Sequence, residues 1–237
     1  MINIENEYKA LMGGVLHGGS NKEDRTGTGT RSVFGRTIKH DMSLGFPILT
    51  GKRISFKAVK TELLWILQGR TDLKYLEDNG VNYWRPDYNR SGRTDETLGP
   101  VYGKQWRDFN GVDQLANAVN AIRNVPHSRR IMVSAWNPAE IDDMVLPPCH
   151  YGFQIYINNG VMDLKPGKLI GQLGDCHLYN NHIDQANIYL GRSKRVLPTL
   201  ELTKGLDTTL EIPKHNEINL IKYNPYPAIK AELSVGK

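Results

Sequence analysis

Cys149 is one of two cysteines in this 237-residue chain, and its neighbours set it apart from Cys176. Pro147 and Pro148 precede it and His150 follows. Each proline fixes its own φ, and Pro148 biases Pro147 toward an extended conformation, so the thiol arrives on a stiff lead with few backbone donors. That presentation suits a nucleophile. A cysteine attacks as its thiolate, which cationic neighbours favour, and Arg129, Arg130 and His150 are the candidates nearest in sequence. The competing reading makes Cys149 one more small buried hydrophobe. Glu62 is the second residue of chemical interest. It lies in a run, residues 56–68, whose apolar density exceeds that of a surface helix, among Val59, Leu63, Trp65 and Ile66. A carboxylate there needs a partner, water or a proton, because burying it unpaired costs several kcal/mol. It is a structural ion pair with a lysine, or a group that manages protons.

A basic residue appears in a third setting, Asp24-Arg25-Thr26-Gly27-Thr28-Gly29-Thr30. Alternating small residues let backbone approach a ligand closely, and Arg25 supplies a planar, permanently charged fork for phosphate. Thr/Gly alternation is also common in turns. The couples Cys149-His150 and Cys176-His177 invite a metal reading, but adjacent residues of a strand point to opposite faces and no zinc-type Cys spacing occurs, so no metal site is expected.

The elements that must position these residues follow from the pattern. Residues 131–136 and 152–157, short β-rich runs bounded by Asn, Asp and Pro, read as two buried strands flanking the cysteine. Residues 2–16 place Ile4, Tyr8, Leu11, Met12 and Val15 at helical spacing, ended by Gly18 and Gly19. Residues 31–42 and 46–52 read as strands broken at Gly45, and residues 56–68 as a helix. Asp72 opens a helix with Leu73 and Leu76 inward, closed near Asn79 and Gly80. Asp113 caps another carrying Leu115, Ala118, Val119 and Ile122, stopped by Val125 and Pro126. Asn159 and Gly160 form a hairpin turn from which residues 161–164 start a return strand. Residues 174–179 end a strand and enter a helix with Ile183, Ala186, Ile188 and Leu190 as its apolar members.

The totals bound the rest. A chain with 39% hydrophobic residues can bury a full core, and one domain is the natural count. The net charge of +5 suggests an anionic ligand without requiring a polyanion. Two cysteines give no disulfide framework, the chain opens on a polar charged segment instead of a signal peptide, and no apolar run approaches the ~18 residues of a membrane span. The expected location is a reducing cytoplasm.

The sequence resembles the thymidylate synthases, in that family's order and over most of the chain. The blocks are Asp24 to Thr30 as above, Glu62-Leu63-Leu64-Trp65, Leu98-Gly99-Pro100-Val101-Tyr102-Gly103-Lys104-Gln105-Trp106, Ser128-Arg129-Arg130-Ile131-Met132-Val133-Ser134-Ala135-Trp136-Asn137-Pro138 followed by Leu146-Pro147-Pro148-Cys149-His150, and Gly174-Asp175-Cys176-His177-Leu178-Tyr179. The resemblance implies an α/β (α+β) fold, a mixed β-sheet flanked by helices and packed sheet to sheet in a homodimer. It implies reductive methylation of dUMP to dTMP with 5,10-methylenetetrahydrofolate. It makes Cys149 the nucleophile at C6 of the pyrimidine, Glu62 the organiser of catalytic water and proton transfer, Tyr102 an active-site hydroxyl, and His150 a further catalytic residue. Arg25 becomes a nucleotide-phosphate ligand, and Arg129 and Arg130 a pair that reaches the phosphate of the other subunit. Asp175 joins the nucleotide-binding residues, with His177 and Tyr179 as ligands of the deoxyribose hydroxyl. Trp84, Ile54 and Val235 face the folate, and the tail folds over the bound ligands.

Departures from the family pattern matter as much. Synthases usually carry an acidic residue straight after the tryptophan, and a second tryptophan soon afterwards, where this chain has Arg85 and Pro86. Gly236 and Lys237 extend the tail past the valine at which the family normally stops. Between Leu164 and Lys165 a Gln-Arg-Ser motif, a Leu-Gly-x-Pro-Phe-Asn motif and a buried helix of the family are absent, and with them the asparagine that tells uracil from cytosine. Losing several buried apolar side chains, at roughly 1.5–3 kcal/mol each, would consume the ~5–15 kcal/mol stability of an ordinary domain. The segment belongs to the molecule but not to this sequence, or the chain is a degenerate relative without catalysis. Two rival functions stand beside dTMP synthesis. In one, water traps the methylene intermediate and the product is a 5-hydroxymethyl nucleotide from dUMP or dCMP. In the other, the chain is a noncatalytic nucleotide or RNA binder, for which no interleaving of aromatic and basic residues speaks.

Overall fold

The computed structural model describes residues 2–158, 164–203 and 211–232. In chain order the elements are α1 (Ile4–Gly18), β1 (Ser20–Lys22), β2 (Thr30–Asp41), α2 (Phe56–Leu67), α3 (Leu73–Asp78), α4 (Arg85–Ser91), α5 (Gly103–Arg107), α6 (Gln114–Asn124), β3 (Met132–Ser134), β4 (Gly152–Gln154), β5 (Lys168–Tyr179), α7 (Ile183–Gly191), β6 (Thr199–Leu202) and β7 (Ile218–Ile221). Helices and small antiparallel sheets make the mixed α/β fold expected from the sequence. The chain divides into two compact units, one of Met1–Ile54, Lys165–Glu201 and Leu220–Lys237, the other of Ser55–Leu164 and Leu202–Asn219. The hairpin at Asn159 and Gly160 with its return strand, Val235 and the added Gly236 and Lys237 lie outside the described residues.

The first unit is built on the long antiparallel pair β2–β5, in register from Thr30 opposite Tyr179 to Asp41 opposite Lys168, with β1 on the outer edge of β2. Helix α1 packs on it, capped by Asn3, whose side chain accepts the Glu5 N–H at 2.8 Å. Glu5 is fully buried, so its carboxylate has to be filled with donors. It accepts from Thr50 N at 2.7 Å, Thr50 Oγ1 at 3.0 Å, Gly51 N at 3.0 Å and the Tyr189 hydroxyl. This corrects the strand expected at residues 46–52. The donors of Thr50 and Gly51 go to a side chain and that of Phe46 to Pro198 O, so no ladder forms. In α7 the buried members are Ala186 and Tyr189, while Ile188, expected inward, is exposed.

The second unit has the core that holds the cysteine. Trp65, Leu73, Leu76, Leu98, Val101, Ile131, Val133 and Ala135 are all essentially inaccessible, and full burial of such a side chain contributes about 1.5–3 kcal/mol. Caps fix the helices: Ser55 accepts Ala58 N–H, Asp72 accepts Tyr75 N–H at 3.0 Å and Asp113 accepts Ala116 N–H at 2.9 Å. Gly103 lets α5 begin against the end of α2, since a Cβ there would lie 2.9 Å from the carbonyl oxygens of Ile66 and Arg70. The apolar residues of α2 divide: Trp65 and Ile66 are buried, but Val59 and Leu63, expected around Glu62 in the interior, are exposed.

The two strands flanking the cysteine are shorter and more one-sided than expected. β3 and β4 pair antiparallel over three residues each, and while Ile131, Val133 and Ala135 are buried, Met132 and Trp136 face outward and Tyr156 is 85% exposed. Gln114 holds β3 in place. Its Oε1 accepts the Ser134 N–H at 3.0 Å and its Nε2 donates to Ser134 O at 2.8 Å. Among the described residues no helix is long and apolar enough to cross a membrane.

Candidate active site

The segment that delivers Cys149 is tethered twice before it reaches the thiol. Val145 N–H donates to Leu98 O at 3.0 Å, and Leu98 N–H donates to Thr71 O at 2.8 Å. The buried side chains of Gln105 and Asn137 hold the turn upstream, both donating to Glu140 Oε2, at 2.7 and 2.9 Å. Pro148 is buried and Cys149 is exposed, so the two prolines present the thiol rather than pack it. Its place is a bend that ends before β4 begins at Gly152, which removes the strand geometry on which the metal argument from alternating faces relied.

Tyr102 fixes the cysteine. The Cys149 N–H donates to the Tyr102 hydroxyl oxygen at 2.8 Å. Tyr102 is itself buried and carries a positive φ of 22° at the start of α5, a conformation that costs a non-glycine residue about 1–3 kcal/mol and persists only where the surroundings impose it. Burial pushes its hydroxyl up to about 12, with the Cys149 N–H pulling the other way and the charge of Cys149 adding to the rise. The phenol therefore keeps its proton at neutral pH and has it to donate. His150 stacks on Tyr102 with ring centres 4.4 Å apart, and Trp106 meets His150 edge-on at 6.0 Å. Burial of that face lowers the His150 pKa, while the Glu62 charge opposes the shift. The indole N–H of Trp106 is buried without a hydrogen-bond partner among the described residues.

Glu62 is half-buried and forms no ion pair among the described residues, which sets aside the structural lysine pair. Instead Trp84 Nε1 donates to Glu62 Oε1 at 2.7 Å. Tyr83 adds a second hydroxyl: burial, then the charge of Glu62 and a hydrogen bond to it, raise the Tyr83 pKa well above the ordinary phenol value. Tyr83 was not expected at the site. The signal available in sequence was its position directly before Trp84, whose side chain carries the same carboxylate.

Of the remaining expected residues, Arg25, Asp175, His177, Tyr179 and Ile54 belong to the first unit. Asp24 closes the Thr/Gly loop, accepting from Thr26 N at 3.0 Å and Gly29 N at 2.8 Å, and these bonds, the Thr26 side chain foremost, hold its carboxyl below the ordinary range. Gly27 and Gly29 adopt φ of 73° and 77°, which the turn requires. Arg25 is displayed on this loop, exposed and with no side-chain hydrogen bond or ion pair among the described residues. On β5, Asp175, His177 and Tyr179 share one face because strand side chains alternate. Asp175 lies 3.7 Å from His177 Nδ1 and 3.5 Å from Lys22, and Tyr179 meets His177 edge-on at 5.5 Å. Ile54 N–H donates to the Tyr223 hydroxyl at 3.0 Å, which ties that residue to the C-terminal stretch. A shallow cleft of about 430 Å³ in this unit, lined by Asn21, Lys22, Glu23 and Arg31 among others, holds none of the expected catalytic side chains.

Cys149, Tyr102, His150, Glu62 and Trp84 are thus linked within one unit by hydrogen bonds, ring contacts or charge. Arg129 and Arg130, in the same unit, are exposed and make no side-chain hydrogen bond or ion pair among the described residues. The arrangement offers an exposed thiol, a protonated hydroxyl beside it and a carboxylate held by the Trp84 indole. In comparison with known proteins, the family model described as thymidylate synthase matches residues 6–164 and 159–235, two stretches that overlap at 159–164.

Proposed function

This chain belongs to the thymidylate synthase family, and on that footing we propose that it converts dUMP to dTMP with 5,10-methylenetetrahydrofolate as co-substrate. The observation that carries the reading is the exposed Cys149, anchored by its own N–H to the Tyr102 hydroxyl, in the unit where Glu62 is held by Trp84. Cys149 Sγ adds to C6 of the pyrimidine, forming the C–S bond and moving the electron pair toward C5. Tyr102, protonated at neutral pH, donates to the ring or to ordered water, and Glu62 takes the C5 proton through water. The folate supplies the one-carbon unit and the hydride. Tyr83 and Trp84 bring aromatic surface to Glu62, which suits a flat pterin, and the resemblance assigns Ile54 and Val235 to the same ligand.

The resemblance distributes the nucleotide among Arg25 for phosphate and Asp175, His177 and Tyr179 for the sugar. Arg129 and Arg130, exposed and unpaired among the described residues, are left to hold the phosphate bound by a partner subunit in a homodimer. Both cysteines are free thiols, which suits a reducing cytoplasm. Two family matches that overlap at 159–164, the first ending at Leu164, support a single synthase-like domain, residues 1–237, interrupted between Leu164 and Lys165.

A second reading, 5-hydroxymethylation, is favoured by the half-exposed Tyr83, which brings a polar hydroxyl and with it water to the carboxylate. Incubation with dUMP and methylenetetrahydrofolate, followed by weighing the product, separates the two. dTMP is the expected product and Cys149→Ala is expected to abolish it; 5-hydroxymethyl-dUMP selects the second reading, and turnover that survives Cys149→Ala rejects both.

A further inference from the structure

Arg85 departs from the family's acidic residue after the tryptophan, and its contacts give it a different task. Its guanidinium grips two carboxylates at once. Nε and Nη2 donate to Glu77 Oε1 and Oε2, both at 2.6 Å, and Nη1 and Nη2 donate to Glu96 Oε1 and Oε2 at 3.1 and 2.7 Å. Glu77 belongs to α3 and Glu96 to the loop that leads into Leu98. The guanidinium also lies over the ring of buried Tyr88, 5.2 Å from its centre, and the Tyr88 hydroxyl accepts the Glu96 N–H at 3.0 Å. Helix α4 needs such an anchor, because the residue at its N-cap, Trp84, makes no side-chain capping bond and has its indole turned to Glu62.

We propose that Arg85 is a positioning residue for Glu62: by clamping the first turn of α4 to Glu77 and Glu96, it holds the Trp84 indole N–H and the adjacent Tyr83 against the carboxylate. The alternative is a surface ion cluster that contributes to stability alone. Magnitudes separate the two. The side chains of Arg85, Glu77 and Glu96 are 29, 31 and 59% exposed, so water screens their attraction, and what sets them apart from an ordinary surface pair is the fork geometry on two carboxylates. Such a fork fixes orientation, and a displacement of ~1 Å at a catalytic group costs on the order of 10²-fold in rate. Lysine cannot replace it, since one ammonium has no planar fork for two carboxylates.

The inference rests on Glu62 managing protons, so the test reads geometry and rate separately. Hydrogen exchange of the Trp84 indole N–H, assigned by its loss in Trp84→Phe, is measured in the full chain and in Arg85→Ala, Arg85→Lys, Glu77→Gln and Glu96→Gln. Exchange at least about tenfold faster in Arg85→Ala is expected, as a tethered donor becomes free. The lysine variant should recover little of the protection. In the same variants kcat for dUMP should fall about 10- to 100-fold while KM for dUMP stays within about twofold. Unchanged indole exchange in Arg85→Ala overturns the proposal, whatever the activity. Should Arg85→Ala fail to fold, the two glutamine variants decide by the same reading. If the unaltered protein turns over no dUMP, the functional reading falls and the indole measurement still judges the clamp.

Discussion

His150 shows how one side chain can serve the site and tax the fold. Its ring rests on Tyr102, and burial of that face lowers its pKa below the ordinary value of about 6.5. Between the lowered folded value and the ordinary unfolded one, the unfolded chain binds more protons, so stability rises with pH across that window and is lost as pH falls below about 6.5. His215 is lowered by burial as well and acts in the same direction. The expected outcome is that urea midpoints of the protein fall on acidification through this window, and that His150→Gln flattens part of the slope and leaves the His215 part. An identical slope in both proteins would mean that His150 titrates as in the unfolded chain. The exposed thiol of Cys149 was legible from sequence because proline rigidity is a local signal, and Glu62 stood out as a lone carboxylate in an apolar run, although Val59 and Leu63 of that run are exposed. Tyr83 and Arg85 were not. Their partners, Glu62, Glu77 and Glu96, stand at separations with no periodic relation to them, so nothing in spacing announces the contacts.

At the scale of elements, glycine decides how closely helices approach. Gly103 has backbone oxygens of Ile66 and Arg70 at 2.9 Å from the point where a Cβ would stand, and it follows Tyr102, whose hydroxyl holds the cysteine. Gly103→Ala is expected to destabilise by about 1–3 kcal/mol, because rigid backbone must move, and to lower activity through Tyr102. Gly13 in α1 has open space at the same point, and Gly13→Ala is expected to stabilise by about 0.5–1 kcal/mol. Urea denaturation of the pair checks both signs. Helices whose caps can be read, at Asp72 and Asp113, begin where the sequence places them. The strand expected at 46–52 fails for a reason no window contains: Thr50 and Gly51 donate to Glu5, a partner 45 and 46 residues away. Tertiary demand by a buried carboxylate outweighs local β-propensity there.

At the scale of the whole molecule, the proposed homodimer makes Arg129 and Arg130 the property of a neighbour's site. Mixing Cys149→Ala with the double variant Arg129→Ala/Arg130→Ala tests this, since each is inactive alone but a mixed dimer carries one intact site. Random reassortment makes half the dimers mixed, so activity should return to about a quarter of the unaltered level. No recovery after complete subunit exchange would place the arginines in their own subunit's site. Leu164 and Lys165 end and begin different compact units, at the point where the first of the two family matches ends. Extra chain introduced at that junction would lengthen a connection and sever no named helix or strand, and each doubling of a flexible loop costs only about 0.6 kcal/mol. It is the natural port for a graft, where a reporter or a foreign module would ride on the protein at the least expense to either half.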